Sequence, residues 1–149
     1  LKLHSKNKGN SFERDIASLL TEVTGSKWYR VPTSGAFATL SGTTDVRFQG
    51  DVYTDDENYK DVVVECKSYA TLEVNELFNK NSKFWGWIEQ SKTESKGKDW
   101  VLFIKINRKG LFMVSEIDCN LPLDYITYKI SKDCKRIFIE TGIMMEKIK

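Results

Sequence analysis

Proline, histidine and cysteine are scarce in this chain, and net charge is close to zero. Its 149 residues include two prolines, one histidine and three cysteines. Cys66, Cys119 and Cys134 cannot all pair with one another and no two stand at zinc-ligand spacing, so neither a disulfide framework nor a structural zinc site is expected. A reducing, intracellular setting fits better. The lone histidine, His4, lies in a basic terminal segment, where a solvated side chain is the ordinary outcome. No run approaches the roughly 18 to 20 apolar residues that a membrane span needs. The greasiest stretches, Val62 to Val64 and Trp100 to Ile106, are short and run into charge. No internal repeat, low-complexity tract or targeting sequence stands out. A hydrophobic share of 40% at this length suits one compact domain, residues 1–149, and excludes a multidomain machine.

The formal charge of +2 argues weakly against a nucleic-acid partner, but the sum hides local asymmetry. Lys2, Lys6, Lys8 and Arg14 face only Glu13 in the first segment. Asp51, Asp55, Asp56, Glu57 and Asp61 then crowd together with Lys60 as their one basic neighbour. From Lys80 to Lys109 bases again outnumber acids, with Lys83 and Lys92 among them. Two basic segments thus flank an acidic one.

Phe12, Ile16, Leu19, Leu20 and Val23 recur at helical spacing and predict an amphipathic helix from Asn10 to Val23, with Asn10 or Ser11 as N-cap and Gly25 just past the end. Trp28 to Val31 reads as a short strand, and Pro32 to Gly50, rich in Gly, Ser and Thr, as a loop of functional length. Asp51 to Thr54 and Asp61 to Ser68 read as a hairpin around an acidic turn. Val74 to Lys96 is helical in character, with a break around Asn79 to Asn81 after which Ser82 can cap a second segment. Trp100 to Ile106 and Leu111 to Val114 form a second hairpin, and Tyr125 to Ile130 and Arg136 to Thr141 read as further strands. The order predicts an α/β protein with helices packed around a mixed sheet.

The sharpest clue lies in the strand Val62 to Ser68. A period of two places Val62, Val64 and Cys66 on one face and Val63, Glu65 and Lys67 on the other. A carboxylate and an ammonium about 7 Å apart thus share one face of an otherwise apolar strand, where charges are rarely tolerated without partners or a ligand. Antiparallel pairing brings Asp51 beside Glu65, and two adjacent acids repel unless a proton or a hard divalent cation sits between them. The backbone carbonyl of Cys66 offers such a cation a further oxygen, while the Cys66 thiol packs on the opposite face. Glu13 shares a helical stripe with Ala17 and Leu20 and points toward the covered side. Two roles are open to it: a third acid leaning over the sheet, or the N3 position of a capping box begun by Asn10. Phe84, Trp85 and Trp87, at helical spacing, are expected to pack against the sheet or form an interface.

Gly50-Asp51, followed after a short hairpin by Glu65-Cys66-Lys67, resembles the PD-(D/E)XK nuclease signature, with glycine where that superfamily often has proline. More narrowly, Lys8-Gly9-Asn10-Ser11-Phe12-Glu13-Arg14, then Arg30-Val31-Pro32-Thr33-Ser34-Gly35, then Gly50-Asp51 and Glu65-Cys66-Lys67-Ser68 resemble the motif order of archaeal and phage-type Holliday-junction resolvases over roughly the first half of the chain. The resemblance implies a restriction-endonuclease-like core in the order α-β-β-β-α-β. It implies magnesium bound by Asp51 and Glu65, with manganese able to substitute and Glu13 completing the shell through water. It further implies Lys67 at the attacking water, Ser34 in support, and Gln90 near the site from the following helix. Ala36 to Gln49 looks like an insertion relative to the shorter resolvases. Asp45 within it rivals Asp51 as the metal-binding aspartate, but Asp51 is preferred because it begins the hairpin directly.

Phosphodiester hydrolysis needs an activated water and positive charge on the transition state, which magnesium between two carboxylates supplies. Lys67 can orient the water, act as general base or stabilise developing charge. The expectation is a magnesium-dependent, structure-selective DNA endonuclease, a Holliday-junction resolvase acting as a homodimer on four-way junctions, with no membrane association. It would be intracellular, cytoplasmic or nucleoid-associated, of a kind that phages encode. Lys6, Lys8, Arg14, Arg30 and Lys83 are the candidate phosphate contacts. The alternatives are another nuclease of the same superfamily, of restriction, repair or single-strand type, and a catalytically silent DNA-binding module.

Overall fold

The computed structural model describes residues 2–32, 48–116, 121–131, 136–140 and 143–148, with the backbone alone for 2–8, 121, 122, 124, 131 and 136–140. Helix α1 (Lys2–Thr24) leads into strands β1 (Trp28–Arg30), β2 (Val52–Thr54) and β3 (Val63–Tyr69). Helices α2 (Val74–Phe78) and α3 (Lys83–Ser95) then cross to β4 (Trp100–Ile106) and β5 (Gly110–Glu116). Helix α4 (Leu121–Ser131) and strands β6 (Arg136–Glu140) and β7 (Ile143–Ile148) complete the described chain. The seven strands form one sheet in the order β1-β2-β3-β4-β5-β7-β6. Only β3 and β4 pair in parallel, across the helical crossover that such a pairing requires, so the sheet is mixed. The expected α-β-β-β-α-β order is present, its second helical position shared by α2 and α3.

Each face of the sheet carries its own apolar layer. Phe12, Ile16, Ala17 and Leu20 of α1 and Leu123 and Ile126 of α4 cover Val52, Val64, Val101 and Phe103. On the other side Phe84, Trp85, Trp87 and Ile88 of α3 cover Val63, Trp100, Leu102 and Ile104. The aromatic set is therefore core. Ile16, Leu20, Phe84 and Ile88 are almost wholly buried, each adding about 1.5–3 kcal/mol of transfer free energy. Helix α3 begins where Ser82 Oγ accepts from the Trp85 N–H. It ends with Lys96 and Gly97 in the left-handed region, at φ 51° and 84°.

Three expectations need correction. Helix α1 starts at Lys2, well before Asn10, so Asn10 lies inside the helix and no capping box joins it to Glu13. The segment Tyr125 to Ile130 is helix rather than strand. Its Tyr, Ile and Thr residues favour strands in isolation, but Leu123, Ile126 and Thr127 bury along one helical stripe while Tyr125, Tyr128 and Lys129 face solvent. Strand β7 was not foreseen. Among the described residues, no helix is long and apolar enough to cross a membrane.

Candidate active site

Strand β2 is short, and its pairing with β3 sets the site. Val52 lies opposite Val64, and the Asp51 N–H donates to the Val64 carbonyl at 2.7 Å. The antiparallel register then puts Asp51 opposite Glu65, on the same face of the sheet. The Cys66 N–H donates to Asp51 Oδ2 at 2.8 Å, so the aspartate side chain continues the ladder where the backbone of β2 has turned away. Within a strand the N–H and C=O of one residue point to the same edge, which puts the Cys66 carbonyl on the Asp51 side. Gly50 makes this approach possible. A Cβ there would lie 2.5 Å from the Val64 carbonyl oxygen, closer than any side chain tolerates without moving β3.

A cavity of about 290 Å³ opens at this point, lined by Glu13, Gln49, Asp51, Glu65, Cys66, Lys67, Gln90 and Glu94. Six of the sequence-derived candidates, Glu13, Asp51, Glu65, Cys66, Lys67 and Gln90, are thus brought together from α1, the β2–β3 hairpin and α3. Lys67 Nζ donates to Gln90 Oε1 at 3.0 Å and stands 3.8 Å from Glu65 Oε2. Gln90 Nε2 in turn donates to Glu94 Oε1 at 3.0 Å. Glu94 was not foreseen. Its signal was the interval of four from Gln90, which stacks the two on one helix face. Gln49, also missed, sits at the end of the long loop segment.

The site is electrostatically unbalanced. Glu65 is 2% exposed. Burial, then the Asp51 carboxylate, then hydrogen bonding and repulsion from Glu94, push its pKa up to about 11 against the pull of Lys67. Burial, then Asp51, Glu65 and Glu13, push the Cys66 thiol well above its ordinary range, so it stays protonated and unreactive at neutral pH. Cys66 packs toward the α1 layer, opposite Glu65 and Lys67.

Glu13 is 8% exposed and its Oε2 accepts from Arg30 Nε, while Arg30 Nη2 donates to Asn10 Oδ1 at 2.7 Å. Asn10 therefore holds Arg30 instead of capping a helix. The remaining candidates lie elsewhere. Arg14 is exposed on α1 and lines a separate groove with Arg30. Lys83 is engaged by the Thr71 carbonyl and by Glu76. Ser34 and Asp45 fall outside the described residues, as do the side chains of Lys6 and Lys8.

Residues 4–146 match the model of one protein family, described as "Phage putative PDDEXK endonuclease". No curated protein and no solved structure matches the chain.

Proposed function

Because this chain belongs to the phage PDDEXK endonuclease family, we propose that it is a magnesium-dependent endonuclease that hydrolyses phosphodiester bonds at four-way DNA junctions. In this reading it is a Holliday-junction resolvase acting as a homodimer, so that two sites cut opposed strands. The observation that carries the nuclease chemistry is the convergence of Asp51, Glu65 and Lys67 on one cavity. The junction and the dimer rest on the order of motifs from Lys8 to Ser68.

Nucleases of this superfamily typically use divalent metals, and the donor chemistry suits one. Two buried carboxylates face each other, and Glu65 cannot hold its charge near neutral pH without further positive charge. Among the described residues no group of three or more His, Cys, Asp and Glu side chains is gathered to enclose an ion. Asp51 and Glu65 would therefore hold it with the Cys66 carbonyl and water, and Glu13 would act through water. When bound, such an ion supplies an acidified water and positive charge at the phosphoryl oxygens. Manganese should substitute, since it accepts the same oxygen donors.

The chain's own residues do the rest. Gln90 fixes the Lys67 ammonium by accepting from it at 3.0 Å, so that its remaining donors can orient a nucleophilic water or meet charge developing on the phosphate. Arg30 neutralises Glu13 at the cavity wall.

The test is a cleavage assay with magnesium, comparing a four-way junction with its separate linear arms, and Glu65→Gln as control. Paired nicks on the junction, absent from the arms and from the variant, support the reading. Cutting that does not distinguish the arms replaces the resolvase with another nuclease of the superfamily. Full cleavage by Glu65→Gln sinks the nuclease assignment at this site.

A further inference from the structure

A second cavity, about 490 Å³, runs between α1 and β1 and is lined by Arg14, Ser18, Glu22, Lys27, Tyr29 and Arg30 among others. It adjoins the active site. Arg30 lines it while its guanidinium holds Glu13, and Glu13 lines the catalytic cavity on the other side of that pair. Arg14 and Lys27 are exposed and enter no ion pair among the described residues, whereas Lys60, Lys67, Lys83, Lys92 and Lys98 each face a carboxylate. The groove thus presents two cations, Arg14 and Lys27, that no ion pair among the described residues engages, with Glu22 as the acid in its lining.

Its walls are fixed in advance. The Lys27 carbonyl accepts from Thr54 Oγ1 at 2.7 Å. The Trp28 N–H donates to Thr21 Oγ1 at 3.0 Å and its indole N–H to Thr24 Oγ1 at 2.9 Å. Tyr29, 42% exposed, rests its ring on Tyr53 at 5.5 Å. From Arg14 to Thr21 the helix rises about 10 Å, about three base-pair steps measured along a duplex axis. Glu22 follows and adds one acid to the lining.

We infer that this groove carries the phosphodiester backbone of the DNA as it leaves the active site past the Glu13–Arg30 pair, with Arg14 and Lys27 as phosphate contacts. The inference rests on the nuclease reading above and adds the path of the substrate to it. Each phosphate contact should add about 0.9 to the slope of log affinity against log salt.

The experiment uses the full chain carrying Glu65→Gln, which prevents cutting, and measures binding of a labelled four-way junction by anisotropy across a salt series. Adding Arg14→Gln and Lys27→Gln together should weaken binding about tenfold or more and lower the slope by about two. Arg108→Gln with Lys109→Gln, in the β4–β5 turn, removes the same charge elsewhere and should leave both unchanged. A groove variant indistinguishable from its parent, or a turn variant that loses as much, overturns the inference. Unaltered circular dichroism of the variants keeps loss of fold out of the comparison. If the unsubstituted chain cuts DNA and the groove variant binds like its parent, only the groove fails. If the Glu65→Gln chain binds no junction at all, the groove and the nuclease reading fail together.

Discussion

The backbone N–H of Cys66 donates to Oδ2 of Asp51 at 2.8 Å, so the aspartate that would hold the metal is also the rung that ends the β2–β3 ladder. Charge and geometry can be separated at this position. Asp51→Asn keeps an oxygen for the Cys66 N–H and removes the negative charge. It should fold with a Tm near the parent's while losing detectable cleavage and keeping DNA binding. Asp51→Ala should lose the rung as well, at about 0.5–1.5 kcal/mol, visible as a lower midpoint in urea. Cleavage by Asp51→Asn at the parent's rate would remove Asp51 from the site.

Glu65 makes stability depend on pH. Its pKa in the fold, pushed up to about 11, lies far above that of an unfolded glutamate, so the native state holds the proton more tightly. That contribution is complete below the unfolded pKa of about 4.3 and is lost progressively as pH rises toward 11. Without divalent ions the protein should therefore lose stability from pH 5 to pH 9. Glu65→Gln, neutral at every pH, should flatten this dependence and raise Tm at pH 8, by about 2–4 °C for each kcal/mol recovered. Added magnesium should stabilise the parent and leave the variant unmoved. Scanning calorimetry with and without chelator checks both arms.

Gly50 carries a steric prediction. A methyl group there would meet the Val64 carbonyl oxygen at 2.5 Å, and neither partner is a flexible side chain. Gly50→Ala should cost about 1–3 kcal/mol, as overpacking does elsewhere, and shift Asp51 away from Glu65. Cleavage should fall further than the loss of stability explains, measured at a temperature where the variant is fully folded.

How much of this was legible in the sequence depended on whether the information was local. The alternation from Val62 to Ser68 is a property of seven consecutive residues, and it correctly put Glu65 and Lys67 on one face and Cys66 on the other. Ser82 as N-cap was local too. Asn10 was misread because an N-cap and a mid-helix asparagine look alike until the residue that pairs with it, Arg30, is known. The stretch Tyr125 to Ile130 was misread because intrinsic preference and burial disagree there, and burial of Leu123 and Ile126 prevailed. Glu94 had only its spacing to recommend it, since what brings it to Glu65 is the packing of α3 on β3.

Gln90 should matter through Lys67. Gln90→Ala removes the acceptor that holds Nζ at 3.0 Å and the donor to Glu94, but touches little of the core. A misplaced catalytic group costs up to about a hundredfold in rate. The expectation is kcat down by about ten- to a hundredfold with KM little changed. A variant that raises KM alone would assign Gln90 to substrate binding instead.

Glu13 and Arg30 pose the last question, because their pairing gives the glutamate a structural reason to exist. Arg30→Gln leaves a carboxylate that is 8% exposed without its guanidinium, beside two other buried acids. Losing this charged partner should cost about 1–3 kcal/mol, tempered here because the Arg30 side chain keeps 25% of its exposure. Glu13→Gln should cost less, since the amide oxygen can still accept from Arg30 Nε. The double variant should be more stable than the sum of the two losses predicts, because removing both charges leaves neither stranded. If Glu13 serves only to hold Arg30, cleavage in the Glu13→Gln variant should stay near the parent's. If it also acts toward a water of the metal shell, cleavage should fall sharply while urea unfolding barely moves, and calorimetry should report weaker magnesium binding. The double-mutant cycle, run for stability, cleavage and metal affinity together, separates the two.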